Sequence, residues 1–218
     1  MSPSRSGTTS TDEFARKRER MVERQLRRRG IGDERVLRAM GEVPRELFLP
    51  EDVRRDAYRD GALPIGEGQT MSQPWIVACM TMLADPGGDG RVLEVGTGSG
   101  YGAAVLARCF AEVVTVERHE PLAERAAVRL AELGFSNVEV RRGDGCLGAP
   151  DRAPFDAVLV TAAAEGEPPA ALREQVRPGG ALVCPVRGAD GEHLTRLRDG
   201  VEERVVPVRF VPLVSEAP

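Results

Sequence analysis

The chain is poor in the residues that hold metals or build disulfide frameworks. It has two histidines, His119 and His193, and four cysteines, Cys79, Cys109, Cys146 and Cys184, in 218 residues. No two cysteines stand in C-x-x-C spacing, and most sit among small or apolar neighbours. That pattern predicts reduced, packed thiols and a cytoplasmic setting. With so few imidazoles, no metal site is expected. No apolar run approaches the length of a membrane span, and no apolar stretch follows Met1. Neither a transmembrane helix nor a secretory leader is therefore expected. A basic excess is missing as well. Thirty Lys and Arg against 34 Asp and Glu leave a net charge of −4, which offers no general attraction to nucleic acid or a membrane surface. What remains, 41% hydrophobic and 29% charged residues, is ordinary globular composition at a length suited to one large domain.

The richest stretch is Arg91 to Tyr101. A short apolar run, Arg91–Val95, is followed by Gly96-Thr97-Gly98-Ser99-Gly100 and an alanine-rich segment. This predicts a strand, a tight loop and a helix N-terminus. Glycines permit positive φ and close approach of a ligand to the backbone, and the helix start offers unpaired N–H groups. The dinucleotide fingerprint G-x-G-x-x-G does not fit, because its third glycine falls on Tyr101. The spacing is G-x-G-x-G with Glu94 two residues upstream. An acid there would repel a pyrophosphate and suit a cation, which favours S-adenosylmethionine over NAD.

Around that loop the chain alternates. Strands are expected at Val92–Val95, Val113–Glu117, Val138–Arg141, Ala157–Thr161 and Ala181–Val186. Helices are expected at Tyr101–Phe110, Pro121–Leu133 and Ala170–Val176, with Arg177–Gly180 read as a turn. This is a Rossmann-like α/β rhythm: a mainly parallel sheet with helices on both faces. A C-terminal antiparallel hairpin, His193–Arg198 with Val205–Val211, closes it. Residues 1–11 read as a disordered tail and 12–214 as one domain, divided into a helical segment (12–84) and the sheet (85–214), with 215–218 a second tail. Asp12–Arg29 reads as a surface helix whose Arg27-Arg28-Arg29 end suits the helix dipole better than RNA. Asp33 is positioned to cap a second helix, and Ser72 a third with Pro74 just inside it. Trp75 reads as core packing and Cys146 as a bystander.

Ligands of open α/β sheets sit at the carboxyl ends of the strands. Glu94 and the glycines end the first strand. Glu117 ends the second, where an acid can accept two ribose hydroxyls. Asp144 follows the third, beside Gly145, where it can accept from an adenine amino group. Thr161 ends the fourth, facing the reaction space. Each alone could be a solvated loop residue or a cap; it is their succession at strand ends that suggests a site.

Here the sequence resembles the protein-L-isoaspartate O-methyltransferases. The resemblance is carried by Val43-Pro44-Arg45-Glu46, by Leu63-Pro64-Ile65-Gly66-Glu67-Gly68-Gln69-Thr70-Met71-Ser72-Gln73-Pro74, and by Leu93 to Tyr101. Gly143-Asp144-Gly145, Val160 to Ala164, Arg177 to Gly180 and Val208 to Leu213 also match. It runs from about Met21 to Val214. Met71 and Gly102 stand where Ile and Gln are common. The resemblance implies that Ser72 is the active-site serine. It places Gln73, Glu94, Gly96, Thr97, Gly98, Ser99, Gly100, Glu117, Asp144 and Gly145 with S-adenosyl-L-methionine. Pro64, Ile65 and Thr70 fall to the substrate, in the helical segment that binds it, and Thr161 meets it from the sheet. The implied partners are isoaspartyl-containing proteins and peptides, met by a monomer, with no nucleic acid and no membrane.

The chemistry suits the residues. The implied nucleophile is a free α-carboxylate, whose ordinary pKa of roughly 3.3–3.9 leaves it ionised at neutral pH. No general base is needed. Orientation alone can supply roughly 7–11 kcal/mol, with Ser72 holding the acceptor by a hydrogen bond. Three other readings stand beside this one: a carboxylate methyltransferase for one particular aspartate, an NAD-dependent oxidoreductase, and a non-catalytic adenosyl-binding module.

Overall fold

In the computed structural model, residues 8–215 are described. The chain opens with α1 (Thr8–Met21), which passes through a π turn, Val22–Leu26, into a 3-10 turn, Arg27–Arg29, and stops at Gly30 with φ 91°. The helix therefore begins inside the stretch read as a disordered tail; residues 1–7 and 216–218 lie outside the described residues. Ser and Thr are weak helix formers, which hid the first turn of a helix held further along by tertiary packing. Asp33 caps α2 (Glu34–Glu42) as expected, accepting from Arg35 N and Val36 N at 2.8 and 3.1 Å.

A small hairpin follows, β1 (Leu63–Gly66) with β2 (Gln69–Met71), and then α3 (Pro74–Leu83). The αβ alternation begins at β3 (Arg91–Val95), α4 (Tyr101–Leu106), β4 (Glu112–Glu117), α5 (Glu120–Glu132) and β5 (Val138–Arg142). It continues through β6 (Phe155–Val160), the two-residue β7 (Ala164–Glu165), α6 (Ala170–Glu174) and β8 (Val176–Gly188). The hairpin β9 (Gly191–Arg198) and β10 (Val201–Pro207) ends the sheet. Strand order is β10-β9-β8-β6-β3-β4-β5, with β7 beside β8; β5, β4, β3, β6 and β8 run parallel and the last two strands antiparallel.

Period-two alternation sorts the apolar residues into two cores. Val92, Val113, Ala157, Leu159 and Val183 pack with the N-terminal helices, α4 and α5 on one face. Leu93, Val95, Val114, Val116, Val158 and Val160 pack with Leu172 of α6 and the turns near Ala149 on the other.

The helices expected to reach Phe110 and Val176 end at Leu106 and Glu174, and two larger departures lie in β8 and the closing hairpin. The Arg177–Gly180 "turn" lies within β8, as a bulge: Phe155 pairs with Val176, but Ala157 pairs with Ala181. A Cβ at Gly180 would press on the Asp156 carbonyl, so only glycine fits that bulge. The final strand is Val201–Pro207 rather than Val205–Val211, because the tight turn at Asp199 (φ 49°) and Gly200 (φ 80°) puts Val201 directly opposite Arg198. Residues 208–213 leave the hairpin. Ala163 N donates to Val211 O and Leu213 N to Ala163 O (2.8 and 2.7 Å), so this segment is drawn back across the carboxyl ends of the parallel strands.

Candidate active site

The sheet order reverses between β3 and β6, and a cleft of about 330 Å³ opens there. Its floor is the glycine turn. Gly96, Gly98 and Gly100 have φ of 94°, 53° and 87°, and Gly96 N donates to Val116 O at 2.8 Å. A Cβ on Gly96 would collide with Thr161 Oγ1, which donates to the Val95 and Gly96 carbonyls, each at 2.9 Å. A Cβ on Gly145 would collide with the Val95 side chain. The glycines thus shape a cradle that a side chain would fill. Glu117 lines it, its two oxygens accepting from Gly98 N (2.8 Å) and His119 N (2.9 Å). Those bonds fix the carboxylate and leave lone pairs for a diol. The cradle fits an adenosyl group: a buried acid at the end of the second strand, backbone close beside it and apolar Val116 and Leu213 on the walls.

A second cleft of about 650 Å³ adjoins the first. It is lined by Ser72, Gln73, Ile76 and residues 207–211, and it shares Thr70 and Thr161 with the cofactor-side cleft. The expected serine cap is corrected here. Gln73 is the residue before α3, and no side chain caps that helix. Ser72 instead has a half-buried side chain whose hydroxyl makes no hydrogen bond among the described residues. Its carbonyl accepts from Arg45 Nη2 at 2.7 Å.

Of the residues predicted for the cofactor, Gly96, Gly98, Glu117 and Gly145 line the first cleft. Gln73 lies in the second and donates to Asp60 at 2.6 Å. Ser99 faces a separate hollow with Ile65. Thr97 is buried against Thr115, their hydroxyls 2.7 Å apart. Asp144 accepts from Cys146 N at 2.8 Å and from the Ser215 hydroxyl at 3.0 Å. Burial, then Asp144, hold the Cys146 thiol above its usual value, in keeping with a bystander. Of the substrate residues, Thr70 and Thr161 join the two clefts, whereas Pro64 is on the outer, exposed side of β1. Trp75 packs against the core edge and donates from its indole to Arg29 O at 3.2 Å.

Glu94 is the chief correction. It was expected to present its charge to the ligand, yet it is 2% exposed and does not line the cleft. Its parity on β3 matches Val92, so it points to the helix-covered face, where its Oε1 stands over Gly102 and its Oε2 accepts from Thr115 Oγ1 at 2.6 Å. Burial above all, with Glu117 adding to it, pushes its pKa up to about 8 against the pull of the Thr115 bond. At neutral pH the proton stays on. Sequence reasoning missed the roof, Val211 to Val214, and the outer wall at Gly68, Gln69 and His119. In the sequence, Val208 to Val211 read as the end of the last strand and Val208 to Leu213 as part of the family pattern, with no role at the site.

An open sheet with a glycine cradle on β3, an acid ending β4 and an acceptor cleft alongside defines a Rossmann-like methyltransferase. The model of the protein-L-isoaspartate(D-aspartate) O-methyltransferase family matches residues 16–218. The chain is 54% identical over 206 residues to the protein-L-isoaspartate O-methyltransferase of Opitutus terrae, covering 92% of this chain and 88% of that one. It is 52% identical over 216 residues to the Synechococcus sp. protein of the same name, covering 94% and 88%. A solved protein-L-isoaspartate O-methyltransferase superposes with TM-score 0.77 at 30% identity, over 89% of this chain and 65% of the other. A Plasmodium falciparum protein described as a candidate member, in complex with S-adenosyl-L-homocysteine, shares the fold with TM-score 0.75 at 24% identity, over 90% and 98%. The chain belongs to the protein-L-isoaspartate(D-aspartate) O-methyltransferase family. No helix among the described residues is long and apolar enough to cross a membrane.

Proposed function

We propose that this protein methylates the free α-carboxylate of L-isoaspartyl residues in damaged proteins and peptides, with S-adenosyl-L-methionine as donor. The observation that carries the reading is the junction of two clefts at Thr70 and Thr161, with the unbonded Ser72 hydroxyl on the acceptor side. Glu117, Gly96, Gly98 and Gly145 hold the cofactor. Thr161 keeps the glycine turn shaped from beneath by bonding two of its carbonyls. Ser72 donates to the acceptor carboxylate and aims one oxygen toward the shared wall. When bound, the cofactor supplies a methyl group on a sulfonium, which leaves as a neutral thioether once the carboxylate oxygen has taken the methyl. No proton moves, so the site needs no base, and the described residues lining the acceptor cleft include no aspartate, glutamate or histidine. Residues 211–214 roof the cleft and exclude water, which strengthens the attraction between carboxylate and sulfonium.

We read the enzyme as a cytoplasmic monomer; the cysteines are unpaired and three of the four are buried. Nucleic acid is not among its partners in this reading. Arg27 is paired with Glu34, Arg28 with Glu23 at 3.2 Å and Arg29 with Asp60 at 3.0 Å, which suits a solvated helix end.

Labelled S-adenosylmethionine tests this with matched peptides bearing L-isoaspartate or L-aspartate. Label enters the first alone. Label on neither sinks the reading; label on ordinary aspartate moves it to a different carboxylate. Ser72→Ala lowers turnover by tenfold or more while S-adenosylhomocysteine binds as before; unchanged turnover removes the serine from the mechanism.

A further inference from the structure

Among the described residues, Arg45 is the one guanidinium with no exposed surface, 0% accessible, and it has no carboxylate partner there. It opens the 3-10 turn Arg45–Phe48 after Pro44. Its Nε donates to Ala57 O and its Nη2 to Ser72 O, both at 2.7 Å. Its Cζ lies 4.7 Å from the centroid of Tyr101, the first residue of α4 after the glycine turn. Its Nη1 is buried with no hydrogen-bond partner. The adjacent acid, Glu46, is engaged by the Tyr58 hydroxyl and by Arg18 at 3.7 Å, and does not neutralise it.

A buried cation without a counter-ion is costly, and an arginine cannot shed its proton to escape the cost. Bracing two carbonyls alone would not require a charge. The position of this charge, bonded to the acceptor serine's own carbonyl and stacked on the head of the cofactor-loop helix, gives it a use. Resting on the function proposed above, we infer that Arg45 is a positioning residue for methyl transfer: it locks the Ser72 backbone to the cofactor-loop helix, and its uncompensated charge biases the acceptor cleft toward a carboxylate over a neutral group. The substrate carries the anion in and the methyl ester leaves without it, so the same bias favours product release.

The test compares two otherwise uncharged peptides of equal shape, one isoaspartyl and one isoasparaginyl, by competition in the presence of S-adenosylhomocysteine. Wild type prefers the acid. Arg45→Met cuts that preference tenfold or more while S-adenosylhomocysteine affinity stays within about threefold. Arg45→Lys, which keeps the charge but not the two-carbonyl clamp, restores the preference and leaves kcat low. An acid preference unchanged in a folded Arg45→Met protein overturns the inference. If that variant does not fold, wild type decides. A buried charge is little screened by salt, so the preference holds within twofold from 50 to 500 mM NaCl. A collapse over that range assigns it to surface cations such as Arg209 and overturns the role of Arg45. Wild type that methylates neither peptide sinks the proposed function itself, a result distinct from either failure of Arg45.

Discussion

Replacing Glu94 by glutamine isolates one buried proton. The folded carboxyl titrates near 8 against an ordinary value of 4.5, and burial is the main cause. Between those values the folded chain holds a proton that the unfolded chain has released. The contribution of Glu94 to stability is therefore complete below pH 4.5 and is lost as pH rises through 8. At about 1.4 kcal/mol for each tenfold change in proton affinity, the full loss is about 5 kcal/mol, of which about 3–4 kcal/mol falls between pH 5 and pH 8. That is a large share of the ~5–15 kcal/mol by which domains are stable. Glutamine cannot ionise and has nearly the same shape over Gly102. Urea unfolding of both proteins at pH 5, 6, 7 and 8 gives the stability difference at each pH, in which all other titrations cancel. Glu94→Gln gains on wild type by about 3–4 kcal/mol across that range, by the same proton linkage. A difference that stays constant refutes the reasoning: Glu94 would then be ionised in the fold, and the charged acid expected beside the cofactor would be back.

Three further outcomes are expected. Gly96→Ala forces a side chain to φ 94° and into the Thr161 hydroxyl, at about 1–2 kcal/mol for the backbone and about 1 kcal/mol for the displaced hydrogen bond. Calorimetry should show a lower Tm and at least tenfold weaker S-adenosylhomocysteine binding; tight binding would contradict the cradle. Glu117→Gln sets an amide against the Gly98 and His119 N–H donors, a loss of about 1.5–3 kcal/mol that weakens S-adenosylhomocysteine roughly 10- to 100-fold in titration calorimetry. Equal affinity would remove Glu117 from the site. Asp33→Ala uncaps α2 and costs about 1 kcal/mol in urea unfolding with kcat unchanged; a drop in kcat would mean that the helix start reaches the active site.

Several features follow from neighbours in sequence. The glycine turn is legible because positive φ is a property of single residues, and all three of its glycines adopt it. The strands β3, β4 and β6 are legible because apolar runs between turn residues have few other uses. Asp33 as a cap rests on local geometry alone, and it holds; the tight turn at Asp199 and Gly200 is equally local in origin. Even the acids at strand ends could be picked out, since a strand's end is marked in the sequence.

Other features depend on what lies across the sheet. Whether Glu94 meets ligand or helix is decided by the parity of β3 and by α4 packed above it, neither of which is set by its neighbours. Asp144 meets Ser215, 71 residues away, only because residues 208–213 return over the cleft through Ala163. Arg45, Ala57, Ser72 and Tyr101 come to one point from four separate places in the chain. By itself, then, the sequence determined the turn, the strands and the family; the tertiary structure decided which polar groups face the cleft and which are buried behind it. The physical reason is that φ preference and hydrophobic period act over a few residues, while burial and pairing are settled by segments that close long loops.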